Sequence, residues 1–129
     1  MTGSDLLQTV RAAQGEIDLL EDRLYTLKQA VKQLEAVPED YQLRIAKLGQ
    51  ELQNRKANAE AERAAAVIML DDLFLHETRK REVCAAFYLD GETVSGCGYR
   101  LHISPARVKA VKHDAVRILS AQDARPWLP

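Results

Sequence analysis

The residues best able to do chemistry lie between positions 79 and 117. Arg107, Lys109, Lys112, His113 and Arg117 follow one another at helical spacing, and Arg79 and Arg81 precede them. Cations in such a row neutralise phosphates along a nucleic-acid backbone. Long polar side chains on the same face can reach base edges. Ser104, Ala106 and Ala110 complete the candidate DNA-binding set. Ser104 opens the helix, and Ala106 and Ala110 lie on the same outward face as Lys109 and His113. An alanine can meet a thymine methyl but forms no bidentate hydrogen bond, so base reading is expected to rest on Lys109 and His113, on DNA shape, or on a partner.

Other chemistries find no support in the residue pattern. His76, His102 and His113 have no metal-ligand spacing with each other or with a carboxylate cluster, so no metal site is expected. Gly96-Cys97-Gly98 follows no strand and is not a phosphate loop. No nucleophile–base arrangement is recognisable. The sequence predicts no catalytic residue, no cofactor and no enzyme. Cys84 and Cys97 fall on predicted core faces without a C-x-x-C pattern, and read as buried small apolar residues.

Positioning such a row requires a helix with a defined start. In Leu101-His102-Ile103-Ser104-Pro105, Ser104 is placed to cap and Pro105 to occupy the first helical position. Val108, Val111, Ala115 and Ile118 then give a packing stripe, while Ala106, Lys109, Ala110, His113 and Arg117 face the other way. Val94, Cys97 and Leu101 supply the packing face of the preceding helix, which Thr93 caps. Gly98 in its middle implies close approach of a neighbour. Two helices joined by so short a turn predict a helix-turn-helix. A further helix over 78–89 is expected to end at Asp90-Gly91.

The string YLDGETVSGCGYRLHISPARVKAVKHDAVRIL resembles the fourth region of sigma-70-type transcription factors, and is most similar to phage and prophage sigma-like regulators of the ArpU and RinA kind. Tyr88-Leu89-Asp90-Gly91, Arg81-Glu82-Val83, and Leu101, Ile103, Ser104, Val108 and Val111 carry the likeness. It implies a transcriptional regulator that binds double-stranded DNA beside RNA polymerase in the cytoplasm of a bacterial host cell. The same parts also suit a small terminase-like DNA-packaging subunit, or an assembly module that reuses the helix-turn-helix for protein contact. Stoichiometry separates them: a regulator is a monomer or dimer, a packaging subunit a ring.

Upstream, the composition is 47% hydrophobic but only 5% aromatic, which suits long helices better than a sheet core. Charge is divided unevenly. Residues 1–77 hold 9 basic and 14 acidic side chains, residues 78–129 hold 9 and 5, so a basic module follows an acidic stalk. Ser4 is read as the cap of a heptad seam through Leu6, Val10, Ala13, Ile17, Leu20, Leu24, Leu27, Val31 and Leu34. After Val37-Pro38-Glu39-Asp40 a second seam runs Tyr41, Ile45, Leu48, Leu52, weakens through Arg55, Ala59, Glu62 and Ala66, and recovers at Met69 and Leu73.

Like charges would face one another in a parallel homodimer, which favours a helical hairpin packed most strongly near Pro38. Ile17, Leu20 and Leu24 would then be under-covered, which calls for a homo-oligomer through the stalk core of Val10, Ile17, Leu20, Leu24, Leu27, Val31 and Leu34. Ala64, Val67, Ile68, Leu70, Leu73, Phe74 and Leu75 are expected in a small core with helix 78–89. No apolar run reaches membrane length, so no membrane partner is expected. The expected fold class is all-α. A long helical hairpin, a coiled-coil stalk, spans 1–76, a small sigma region 4-like helix-turn-helix module spans 77–121, and a tail spans 122–129. In that tail Trp127-Leu128 either folds back on the module or docks a partner.

Overall fold

A computed structural model describes all of residues 1–129. The chain is all-helical and has no β-strand: α1 spans Gly3–Lys32, α2 Glu39–Leu73, α3 Thr78–Cys84, α4 Val94–Leu101 and α5 Pro105–Ser120. A π-helical turn, Ala85–Leu89, continues α3, and a 3₁₀ turn, Arg125–Trp127, lies in the tail. No helix is long and apolar enough to cross a membrane.

The chain forms two compact units. One comprises Met1–Ala12 with Ala61–Pro129, the other Ala13–Glu60. The expected boundary at residue 76 therefore lies inside the first unit, because both ends of the long helical segment share its core. Leu6, Leu7 and Val10 of α1 are buried with Ala65, Ala66, Met69, Leu70 and Phe74 of α2, and with Cys84, Tyr88, Ala115 and Leu119. Val10, expected in the stalk seam, belongs to this core. The face of α2 also differs from expectation. Ala64, Val67, Ile68 and Leu75, expected in the small core, are exposed, whereas the seam positions Ala66 and Met69 are buried as expected, with Ala65 beside them. A sequence apolar all round does not mark its own inner face.

The start of α1 differs by two residues from the expected cap. Thr2 Oγ1 accepts from the Asp5 backbone N–H at 3.1 Å, and Asp5 Oδ2 accepts from the Thr2 N–H at 2.9 Å. This reciprocal pair is a capping box built with aspartate. Ser4 is instead buried inside the first turn. The tail closes on the same unit: Ala124 is buried, Gly3 N–H donates to Gln122 O, and Trp127 Nε1 donates to Asp72 Oδ2 at 2.7 Å. Of the two fates considered for Trp127-Leu128, the structure places both against the core.

In the second unit α1 and α2 run in opposite directions. Ile17, Leu20 and Leu52 are buried together, with Leu24, Leu48 and Ala59 half-buried around them. The tightest packing is thus remote from Pro38. α1 stops at Lys32, and Leu34, no longer helical, is exposed, while Leu27 and Val31 are half-buried. Arg55 does not leave the seam open as expected. Its guanidinium reaches Glu16, and Lys56 pairs with Glu21 at 3.0 Å, so two ion pairs join α1 and α2 alongside the buried Ile17, Leu20 and Leu52.

Candidate nucleic-acid interface

Positioning of the basic row begins at α4. Thr93, in extended conformation, accepts from Gly96 N–H at 2.9 Å, which starts the helix. His102 ends it at φ 58°, ψ 41°, the left-handed region, where a non-glycine residue carries strain. Ile103 N–H then donates to Gly98 O at 3.0 Å, folding the turn back on the helix. A Cβ on Gly98 would lie 2.6 Å from Ile103 O, so the glycine is required by the turn rather than by a neighbouring helix.

Ser104 Oγ accepts from Arg107 N–H at 3.1 Å and Pro105 takes the first helical position, so α5 starts where expected. Its buried stripe is Val108, Val111, Ala115 and Leu119. Ile118, expected on the stripe, is half-buried beside it. Val108 and Val111 lie against Val83, Ala86 and Cys97, which ties α5 to α3 and α4. Cys84 is fully buried, and desolvation of its thiolate pushes its pKa up to about 12. Desolvation, helped by the Glu92 charge, also raises the Cys97 thiol, which makes both poor nucleophiles.

The outward face of α5 carries Pro105, Ala106, Arg107, Lys109, Ala110, His113 and Arg117, all exposed. Arg107, Lys109, His113 and Arg117 have no side-chain hydrogen bond or ion pair within the chain. The other expected contacts are placed differently. Lys112 is half-buried, its ammonium 4.1 Å from the centroid of the Phe87 ring, and Arg11 stacks on that ring at 4.0 Å while donating to the Phe87 and Glu92 carbonyls. Arg79 is shared between Glu82 at 3.5 Å and Leu101 O at 3.4 Å, and half-buried Arg81 lies 3.9 Å from Asp71. Ser104 is committed to its cap. The freely available set thus contracts to Arg107, Lys109, His113 and Arg117, with Ala106 and Ala110 between them.

Two exposed residues of α4 and α5 were not singled out from the sequence. Tyr99 on α4 is 88% exposed. Assigning Cys97 to the core places a residue two further on about 200° around the helix, so its outward position was legible. Asp114, exposed at the edge of α5, puts a negative charge beside Arg107 in a small cleft with Arg79 and Lys80.

An ion cluster centred on Asp90 joins α2 to α4. Asp90 accepts from Arg100 at 2.8 Å and Arg63 at 3.1 Å. Partial burial opposes its ionisation, but these two hydrogen bonds outweigh that and hold the carboxyl below its ordinary value. No group of histidines, cysteines or carboxylates is arranged to hold a metal ion.

Comparison of the chain with protein-family models, curated proteins and solved structures finds no match. The functional reading therefore rests on the geometry of this face.

Proposed function

We propose that the chain is a DNA-binding transcriptional regulator of the phage or prophage type, reading duplex DNA through a sigma region 4-like helix-turn-helix formed by α4 and α5. In this reading α5 is the recognition helix and residues 13–60 form a helical hairpin. RNA polymerase is a second partner that the sequence resemblance implies. The observation that carries the reading is the outward face of α5. Arg107, Lys109, His113 and Arg117 project from it without intrachain partners, on a helix whose start is fixed by a cap, a proline and a tight turn. Unpaired cations repel one another and contribute nothing to the core, so their concentration on one rigid face favours an anionic partner.

Arg107, Lys109 and Arg117 are the three permanent cations of the face, so about three phosphates are contacted. The logarithm of the binding constant should then fall with the logarithm of salt at a slope of roughly −3. Selection from random duplex DNA at fixed salt, followed by a salt titration on the selected site, tests both parts. A flat salt response, or binding that survives simultaneous replacement of Arg107, Lys109 and Arg117 by alanine, would overturn the reading.

A further inference from the structure

The Ala13–Glu60 unit has an open groove of about 750 Å³ between α1 and α2. Leu19, Leu27 and Leu48 form its floor and walls, and Leu19 is 61% exposed. Only Ile17, Leu20 and Leu52 are buried in this unit, and two helices with so small a core do not ordinarily hold together alone. Two antiparallel helix pairs can share one core as a four-helix bundle.

We propose that a second copy of this chain fills the groove, forming a two-fold antiparallel four-helix bundle from residues 13–60 of each copy. The groove is complementary to itself. Glu51 and Leu19 lie at one end, Arg44 and Ala30 at the other, and Lys47 and Leu48 near the middle. A two-fold axis through the middle sets Glu51 of each copy against Arg44 of the other, so that two attractive pairs form. The same operation lays the protruding Leu19 over Ala30, where a small side chain leaves room. An isologous contact of this kind closes at two copies and does not propagate. The residues involved differ from a seam interface: Ile17 and Leu20 are already covered within one chain, and Leu19, Leu27 and Leu48 carry the contact. The inference is independent of the DNA-binding reading, since none of these residues lies on α5.

Sedimentation equilibrium of the full chain tests it. The wild type should be a dimer, and Leu19→Glu, at an exposed position that leaves helicity intact by circular dichroism, should weaken self-association by about tenfold or more. Charge variants give a second readout that does not depend on that substitution. Arg44→Glu and Glu51→Arg chains should each associate poorly alone, and mixing them should restore dimers, because every contact in the mixed pair becomes opposite in sign. A wild type that stays monomeric, an assembly larger than a dimer, or a mixture no more associated than its components would overturn the proposal.

Discussion

At the scale of single residues, the face of α5 separates what a side chain is from what it is free to do. Lys109 and Lys112 look alike in the sequence, three positions apart on one basic helix. In the structure Lys109 is exposed and unpaired, whereas Lys112 is half-buried over Phe87, across from Arg11 on the same ring. Spacing along one helix reports the angle of a side chain but not the neighbour it meets from another segment. The Phe87 site could not be foreseen for that reason, since Arg11 is 76 residues away. If α5 is the recognition helix, base reading is expected to be weak, because Ala106 and Ala110 on its outward face form no bidentate hydrogen bonds. Lys109→Ala should therefore weaken binding to a selected site and to unrelated duplex alike, by about 1 kcal/mol in each. Paired titrations at one salt concentration measure this. A loss confined to the selected site would make Lys109 a base reader, and a site whose strongest bases depend on Ala106 or Ala110 would refute this account of the helix.

At the scale of elements, local chemistry was legible wherever a few adjacent residues decide the outcome. Thr93, Ser104, Pro105 and Gly91 set the starts and stops of the C-terminal helices where the sequence places them. The N-terminal start was misread because Thr2-Gly3-Ser4-Asp5 offers two hydroxyls, and only Thr2 has an acidic partner three residues on. Along α2 the periodic seam positions Ala66 and Met69 are buried as expected, but the run over 64–75 is apolar on several sides, so periodicity does not show that Val67, Ile68 and Leu75 stay exposed. Gly98 shows how such an element can be tested. Alanine in place of glycine within a helix gains up to about 1 kcal/mol from propensity. Here the added methyl would meet the Ile103 carbonyl at 2.6 Å, and overpacking of this sort costs about 1–3 kcal/mol. Gly98→Ala should thus destabilise by about 1–2 kcal/mol in urea denaturation. Gly15→Ala is the contrast. Nothing lies within 4 Å of its added methyl, so it should increase helix content. A stabilised Gly98→Ala would mean that the turn does not approach α4 as closely as described.

At the scale of the whole molecule, the unit of Met1–Ala12 and Ala61–Pro129 brings chain ends together that the sequence gives no reason to join, and carboxylates secure the joins. Asp5 closes the cap on Thr2, Asp90 joins Arg63 of α2 to Arg100 of α4, and Asp123 pairs with Arg125 at the bend where the tail meets Thr2. Each carboxyl is held below its ordinary value. Backbone and side-chain hydrogen bonds from Thr2 do this for Asp5. At Asp90, burial is outweighed by the two arginines. At Asp123 the Arg125 hydrogen bonds bring the value to about 2.

A carboxyl with a lower pKa in the folded than in the unfolded chain stabilises folding above its unfolded value, near 3.8, and that contribution disappears as pH falls through the folded value. The stability of this unit should therefore be level on the neutral side of about pH 5 and decline as the pH passes from about 4 toward 2. The single tryptophan, Trp127, is hydrogen-bonded to Asp72 within the same unit, so its fluorescence reports on this unfolding directly. Urea titrations followed at Trp127 should give a lower midpoint at pH 3 than at pH 5 in the wild type. In Asp90→Asn the drop should be smaller, because an amide cannot lose the charge that Arg63 and Arg100 share. A variant whose midpoint falls as far as the wild type's would show that Asp90 does not couple the unit's stability to pH, and would leave Asp5 and Asp123 to account for the acid response.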